Sequence, residues 1–229
     1  MNVETMIDAV PRLFDGLGVT LLLAGVTLIL GLIFAIPLGV IRARGSRLLS
    51  AVIQVYTFCF RGTPLLVQLY LIYYGSGQFR PELEAAGFWW FFRDPWNCAF
   101  LGYTLSTTAY TTEIIRGAIL AVPRGEIEAS IAFGMGPFTR LRLVILPQAF
   151  GYALPSYSNE VVFQIQATAL VSLITLPDIT GIATVLANRT YQHYELYLTA
   201  ALFYLVLVYA VLLVLKAVEA RLTRHRRAH

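Results

Sequence analysis

Five polar side chains within an otherwise apolar stretch carry the most specific chemistry in this chain. Glu160, Gln164, Thr168, Ser172 and Thr175 follow one another at intervals of four, four, four and three residues, a spacing that lines them along one side of an α-helix. Asn159 and Gln166 widen the polar area beside the stripe. In lipid such groups would be unsatisfied, so the stripe must face other protein groups or a water-filled cavity. A carboxylate there points to recognition of a polar or cationic group, or to proton carriage, because an intramembrane acid is expensive and a charge pair in low dielectric is stronger than in water. The structural alternative is a Glu160 that only hydrogen-bonds neighbouring helices. Glu113 and Arg116, three residues apart, are placed to pair on one helical face. Arg61 precedes Gly62 and Pro64, where a kink or an unwound turn is expected, and an arginine at that depth either snorkels or finds a partner.

Covalent chemistry has no support. There is no GxxxxGKS/T phosphate loop, no GxSxG and no HExxH, and the only lysine is Lys216, so the chain is not its own P-loop ATPase. Cys59 and Cys98 stand in apolar surroundings without a CxxC or histidine-rich context and read as packing residues, with neither a metal nor a disulfide. Lone His193 reads as a solvated loop residue. We expect no catalytic residue, metal or cofactor in this chain.

The elements that hold these groups are membrane spans. Of 229 residues, 58% are hydrophobic and 13% charged, with a mean hydropathy of +0.69, which excludes a soluble domain. A span needs about 20 apolar residues, and the uncharged runs place five helices at about 17–41, 48–75, 97–121, 148–176 and 196–216. The ten-residue alternation of a membrane barrel is absent. Residues 1–15 carry Glu4, Asp8 and Asp15 against one Arg12, unlike a signal peptide, and are expected to form a short interfacial piece. Trp89, Trp90 and Trp96 cluster beside charges as an interfacial anchor would, and the last span reads as a leucine-rich, lipid-facing wall.

Orientation follows from the basic residues beside the spans. One side collects Arg42, Arg44, Arg47, Arg116, Arg124, Arg140, Arg142, Lys216, Arg221, Arg224, Arg226 and Arg227; the other has Arg12, Arg80, Arg93 and Arg189. The first side is read as cytoplasmic, with the N-terminus outside and the C-terminus inside. The basic tail then serves retention and contact with anionic lipid, with no nucleic acid needed.

That orientation puts residues 122–147 in the cytoplasm as one knob. Pro123 opens a short helix, Gly134 stands where a helix needs a left-handed stop, and Gly136-Pro137 restarts a second helix, expected to end before Pro147. The run PRGEIEAS, then Gly134 and the closing ILP at 145–147, resembles the EAA motif of permease subunits of bacterial ABC importers. FRGTPLLVQL at 60–69 resembles the signature of the polar amino acid branch of that family, and YTTEIIRG at 110–117 is similar to the run that leads into its EAA loop. SYSNEV at 156–161 is most similar to the M-type subunits of histidine, basic amino acid and opine systems. One departure is QATAL at 166–170, where many relatives have a KDTSL-like run; without that cation Glu160 is the dominant intramembrane charge.

The resemblance implies the all-helical type I permease fold in the bacterial inner membrane, as one transmembrane domain over 1–229. It also implies alternating access driven by two separate ATPase subunits that bind ATP and Mg, a second homologous permease subunit, with a heterodimer favoured, and a periplasmic binding protein. Glu126, Glu128, Ala129, Gly134, Met135, Gly136, Leu146 and Pro147 would contact the ATPase. Glu160, Asn159, Gln164, Gln166, Thr168 and Ser172 would line the substrate path, and Arg61, Gly62, Pro64, Glu113 and Arg116 would be structural or gating residues. The expected cargo is a cationic amino acid or opine; a neutral polar amino acid such as glutamine, or an ion-coupled carrier with Glu160 as proton site, are the alternatives.

Overall fold

A computed structural model describes residues 3–222, which leaves Arg224, Arg226 and Arg227 of the basic tail outside the described residues. Among these residues every regular element is helical. Helix α1 (Val3–Arg44) runs unbroken for 42 residues, about 63 Å, well beyond the span expected at 17–41. Residues 3–15 are not a separate interfacial piece. Ala9 and Leu13 are buried against Ile179, Ala183 and Ala187 of α10 (Ile179–Thr190) and against Leu196 and Ala200 of α11 (His193–Leu222), and this packing carries the helix through its first turns.

The stretch expected as one span at 48–75 is two helices. Ser46 caps α2 (Arg47–Gly62) through its side chain, and α3 (Leu65–Tyr70) follows after Thr63 and Pro64 and continues through a wide π turn at Leu71–Gly75. The two arms meet at 100°, far more than a kink, because Pro64 has no N–H to offer and forces Thr63 into extended backbone. Two short helices, α4 (Arg80–Ala85) and α5 (Trp89–Phe92), precede α6 (Pro95–Leu120). Arg80 lies over Trp89, while Trp96 belongs to the first turn of α6 and stacks on Phe100.

Helix α6 is the centre of the molecule, and its main partner is α1. Its serines and threonines are turned inward, with Ser106, Thr107, Thr108, Thr111 and Thr112 all buried. Gly31 of α1 makes the approach possible, since a Cβ there would overlap the Thr107 methyl; small residues serve this purpose between membrane helices.

Helix α7 (Arg124–Ala132) and α8 (Pro137–Arg140) form the expected pair, but the second helix does not end before Pro147. It passes through a π turn at Leu141–Ile145 into α9 (Leu146–Ala167), with Leu146 and Pro147 in the first turn of α9. The wide turn takes up the clash that the Pro147 ring would make with the carbonyl four residues back. Helix α9 tightens into a 3-10 segment at Thr168–Ile174, stopped by Thr175 at φ 73.

The stretch between the spans expected at 148–176 and 196–216 holds α10, capped by Asp178, whose carboxylate accepts from the Gly181 N–H at 2.8 Å and the Tyr204 hydroxyl at 2.8 Å. Helix α11 is therefore no plain lipid-facing wall: one side packs on α1, α9 and α10. Cys98 is buried as a packing residue, whereas Cys59 is exposed. By length and apolarity α1 and α11 qualify as membrane spans, and two bent pairs raise the number to four. Helix α6 has 26 residues but gives its polar side chains to the protein interior.

Candidate functional site

The polar stripe of α9 divides between two surfaces. Glu160, Gln164 and Thr168 are buried, while Asn159 and Gln166 are exposed on another face, together with Phe163. Thr107 of α6 donates to Glu160 Oε1 at 3.1 Å. The other carboxylate oxygen has no hydrogen-bond partner among the described residues. One turn on, the Gln164 amide donates to Thr27 Oγ1 at 2.8 Å, and Thr27 donates to the Leu23 carbonyl at 2.7 Å. Glu160 and Gln164 thus tie α9 to α6 and α1. Thr168 turns back on the Ile165 carbonyl and Ser172 on the Ala169 carbonyl. Tightening to a 3-10 helix carries Ser172 off the stripe into a separate cavity with Arg12, Asp15, exposed Thr175 and Arg189.

A second cluster lies where α1, α2 and α6 meet. Glu113 pairs with Arg116 at 2.6 Å, as their spacing predicts, and also with Arg42 at 3.3 Å, while the Thr57 hydroxyl donates to Glu113 Oε1 at 3.2 Å. Local spacing could reveal only the first of these, since Arg42 and Thr57 arrive from other helices. Arg61 joins no ion pair among the described residues. Its guanidinium lies 5.3 Å from the centre of the Tyr110 ring, and Tyr110 stands 6.2 Å from Phe163 on the exposed face of α9. Gly62 and Pro64 line the same cleft.

The knob at 122–147 is built around Gly134. Its φ of +74 lies in the left-handed region, where its N–H donates to the Ile131 carbonyl at 2.8 Å and that of Met135 to the Ser130 carbonyl at 3.1 Å, a Schellman stop. Ile127 anchors α7 on the core formed by Ala35, Ile115, Ile119 and Ile145. Glu126, Glu128, Ala129, Gly136 and Pro147 are exposed, and Met135 and Leu146 half-buried. Phe133 and Phe138, which the motif reading passed over, are 84% and 74% exposed.

Residues 35–224 match the model of the binding-protein-dependent transport system inner membrane component family. The chain belongs to this family of permeases. It is 40% identical over 228 residues to the nopaline transport system permease protein of Agrobacterium fabrum, covering 100% of this chain and 95% of that protein. The octopine permease of Rhizobium radiobacter is 41% identical over 94% of this chain and 87% of its own length. The histidine/lysine/arginine/ornithine permease of Escherichia coli K12 is 39% identical over 93% and 89%. A crystal structure of an amino acid ABC transporter with histidines superposes with a TM-score of 0.84 at 30% identity, covering 96% of this chain and 99% of that one. The methionine ABC transporter in an inward-facing conformation shares the fold, with a TM-score of 0.75 at 20% identity.

This permease is therefore a transport component of an amino acid ABC importer in the inner membrane, working with ATPase and binding-protein partners. The all-helical type I permease fold implied by the family resemblance is the fold found.

Proposed function

We propose that this permease forms half of the translocation path for a cationic amino acid or an opine, pairing with a homologous but different permease subunit. ATP and Mg are bound by two partner ATPases, which move the membrane helices through the 122–147 knob. The N-terminus is periplasmic, the C-terminus cytoplasmic, and the chain crosses the membrane five times, with α6 as the span shielded by its neighbours.

The observation that carries this reading is the knob itself: a glycine-cornered helix pair that rests on the core through Ile127 and presents Phe133 and Phe138 outward. Such a lever has no use in a passive channel. Cationic cargo is supported by Glu160, whose Oε2 is unpaired among the described residues, and by the nopaline, octopine and basic amino acid relatives. An acidic substrate would be repelled by the same carboxylate.

Competition tests the substrate. On the complete complex, arginine and histidine should each displace labelled arginine uptake while glutamine does not; equal displacement by glutamine would move the reading to neutral polar amino acids. A second reading of Glu160 is favoured by its 6% exposure and its bond to Thr107: a strut between α6 and α9. Replacing it with glutamine separates the two. Uptake falls while the complex still assembles if the carboxylate meets cargo, and both fall together if it is a strut.

A further inference from the structure

We propose that Arg61 receives the α-carboxylate of the transported amino acid, an assignment that rests on the transport function above. The break at Gly62-Thr63-Pro64 ends α2 one residue after Arg61 and turns the chain by 100°, so Arg61 stands at an opened helix end. Its aliphatic stem and guanidinium are steered by Tyr110, whose ring lies beneath the cation and whose hydroxyl donates to the Arg61 carbonyl at 3.4 Å. The nearby carboxylate of Glu113 is already engaged by Arg42 and Arg116. No carboxylate among the described residues pairs with Arg61. Arg61 is exposed to the cleft and feels the Glu160 carboxylate only through space, without a contact ion pair among the described residues, and a guanidinium stacked on a ring keeps its N–H edges free for the two-pronged binding of a carboxylate.

The surroundings fit a small zwitterion. Arg61 lines a cleft of about 300 Å³ with Ser106, Tyr110 and Phe163, and a second cleft of about 290 Å³ towards Gln54, Thr57 and Glu113. Thr107, next to Ser106, holds Glu160, and Phe163 stands between Asn159 and Gln166 on the exposed face of α9. One wall of the path thus offers a cation at the end of α2, and the other a carboxylate on α9. An α-carboxylate is common to amino acids and opines, so an arginine anchor is indifferent to the side chain and leaves its selection to α9.

Binding to the purified complex without its binding protein tests the assignment, using arginine against agmatine and histidine against histamine, pairs that differ by the carboxylate. The wild type should prefer each acid over its amine by about tenfold. Arg61→Gln should abolish that preference by weakening the acid and sparing the amine. Arg61→Lys, which keeps the charge but not the fork, should weaken the acid about threefold and serves if the glutamine variant fails to assemble. Wild-type preference in either variant, or a wild-type complex that binds acid and amine alike or binds neither, overturns the assignment. A complex that shows the preference yet moves nothing on ATP would instead count against the transport reading alone.

Discussion

Thr107 and Glu113 show how polar side chains are spent inside this membrane domain. Thr107 gives its hydroxyl to Glu160 and packs its methyl against Gly31, so Thr107→Val keeps the shape and removes the donor. The buried acid then loses its only hydrogen bond among the described residues, at a cost of about 1–2 kcal/mol; a thermal-shift assay on the complex should register the loss, and an unchanged midpoint would deny the bond. Glu113 neutralises two arginines from two helices. Glu113→Gln leaves Arg42 and Arg116 facing each other without a counter-charge and should destabilise the complex by about 2 kcal/mol. If instead Glu113→Gln matches the wild type in thermal shift, the cluster contributes nothing to the α1–α2–α6 junction.

At the scale of the element, the knob yields the sharpest prediction because its constraint is conformational. No atom lies within 4 Å of a Cβ built at Gly134, and its φ is +74, so substitution there meets backbone strain without a clash. Asparagine tolerates the left-handed region and a β-branched residue does not. Gly134→Asn should therefore keep transport, whereas Gly134→Val should lose uptake while leaving subunit assembly intact; equal behaviour of the two variants in a uptake assay would reject the corner as a coupling element.

How far each element was legible follows the range of the forces that make it. The α7 knob and the Glu113–Arg116 pair rest on neighbours within a turn or two, and spacing revealed them. The N-terminal extension of α1 was hidden because its acidic, mixed composition becomes helical only against α10 and α11. Helix α10 had a visible start in Asp178 after Pro177, but the short run behind it carries no span-length signal. The stripe is α-helical through Glu160 and Gln164, yet regular spacing cannot foresee the tightening at Thr168–Ile174 that turns Ser172 and Thr175 away. Which face of α9 is buried depends on α1 and α6, so Asn159 and Gln166 were grouped with side chains they do not join.

For the whole molecule, the deciding question is what drives transport. The chain has no phosphate loop, its family is binding-protein-dependent, and its glycine-cornered knob offers two exposed phenylalanines. Phe133→Asp should accordingly reduce co-purification of the ATPase several-fold without affecting insertion of the chain in the membrane. The most direct measurement is uptake of labelled arginine into proteoliposomes holding the complete complex, with ATP on the knob side and loaded binding protein on the other, compared with a proton gradient alone. Uptake that needs both ATP and binding protein is the predicted result; uptake on the proton gradient without ATP would contradict it.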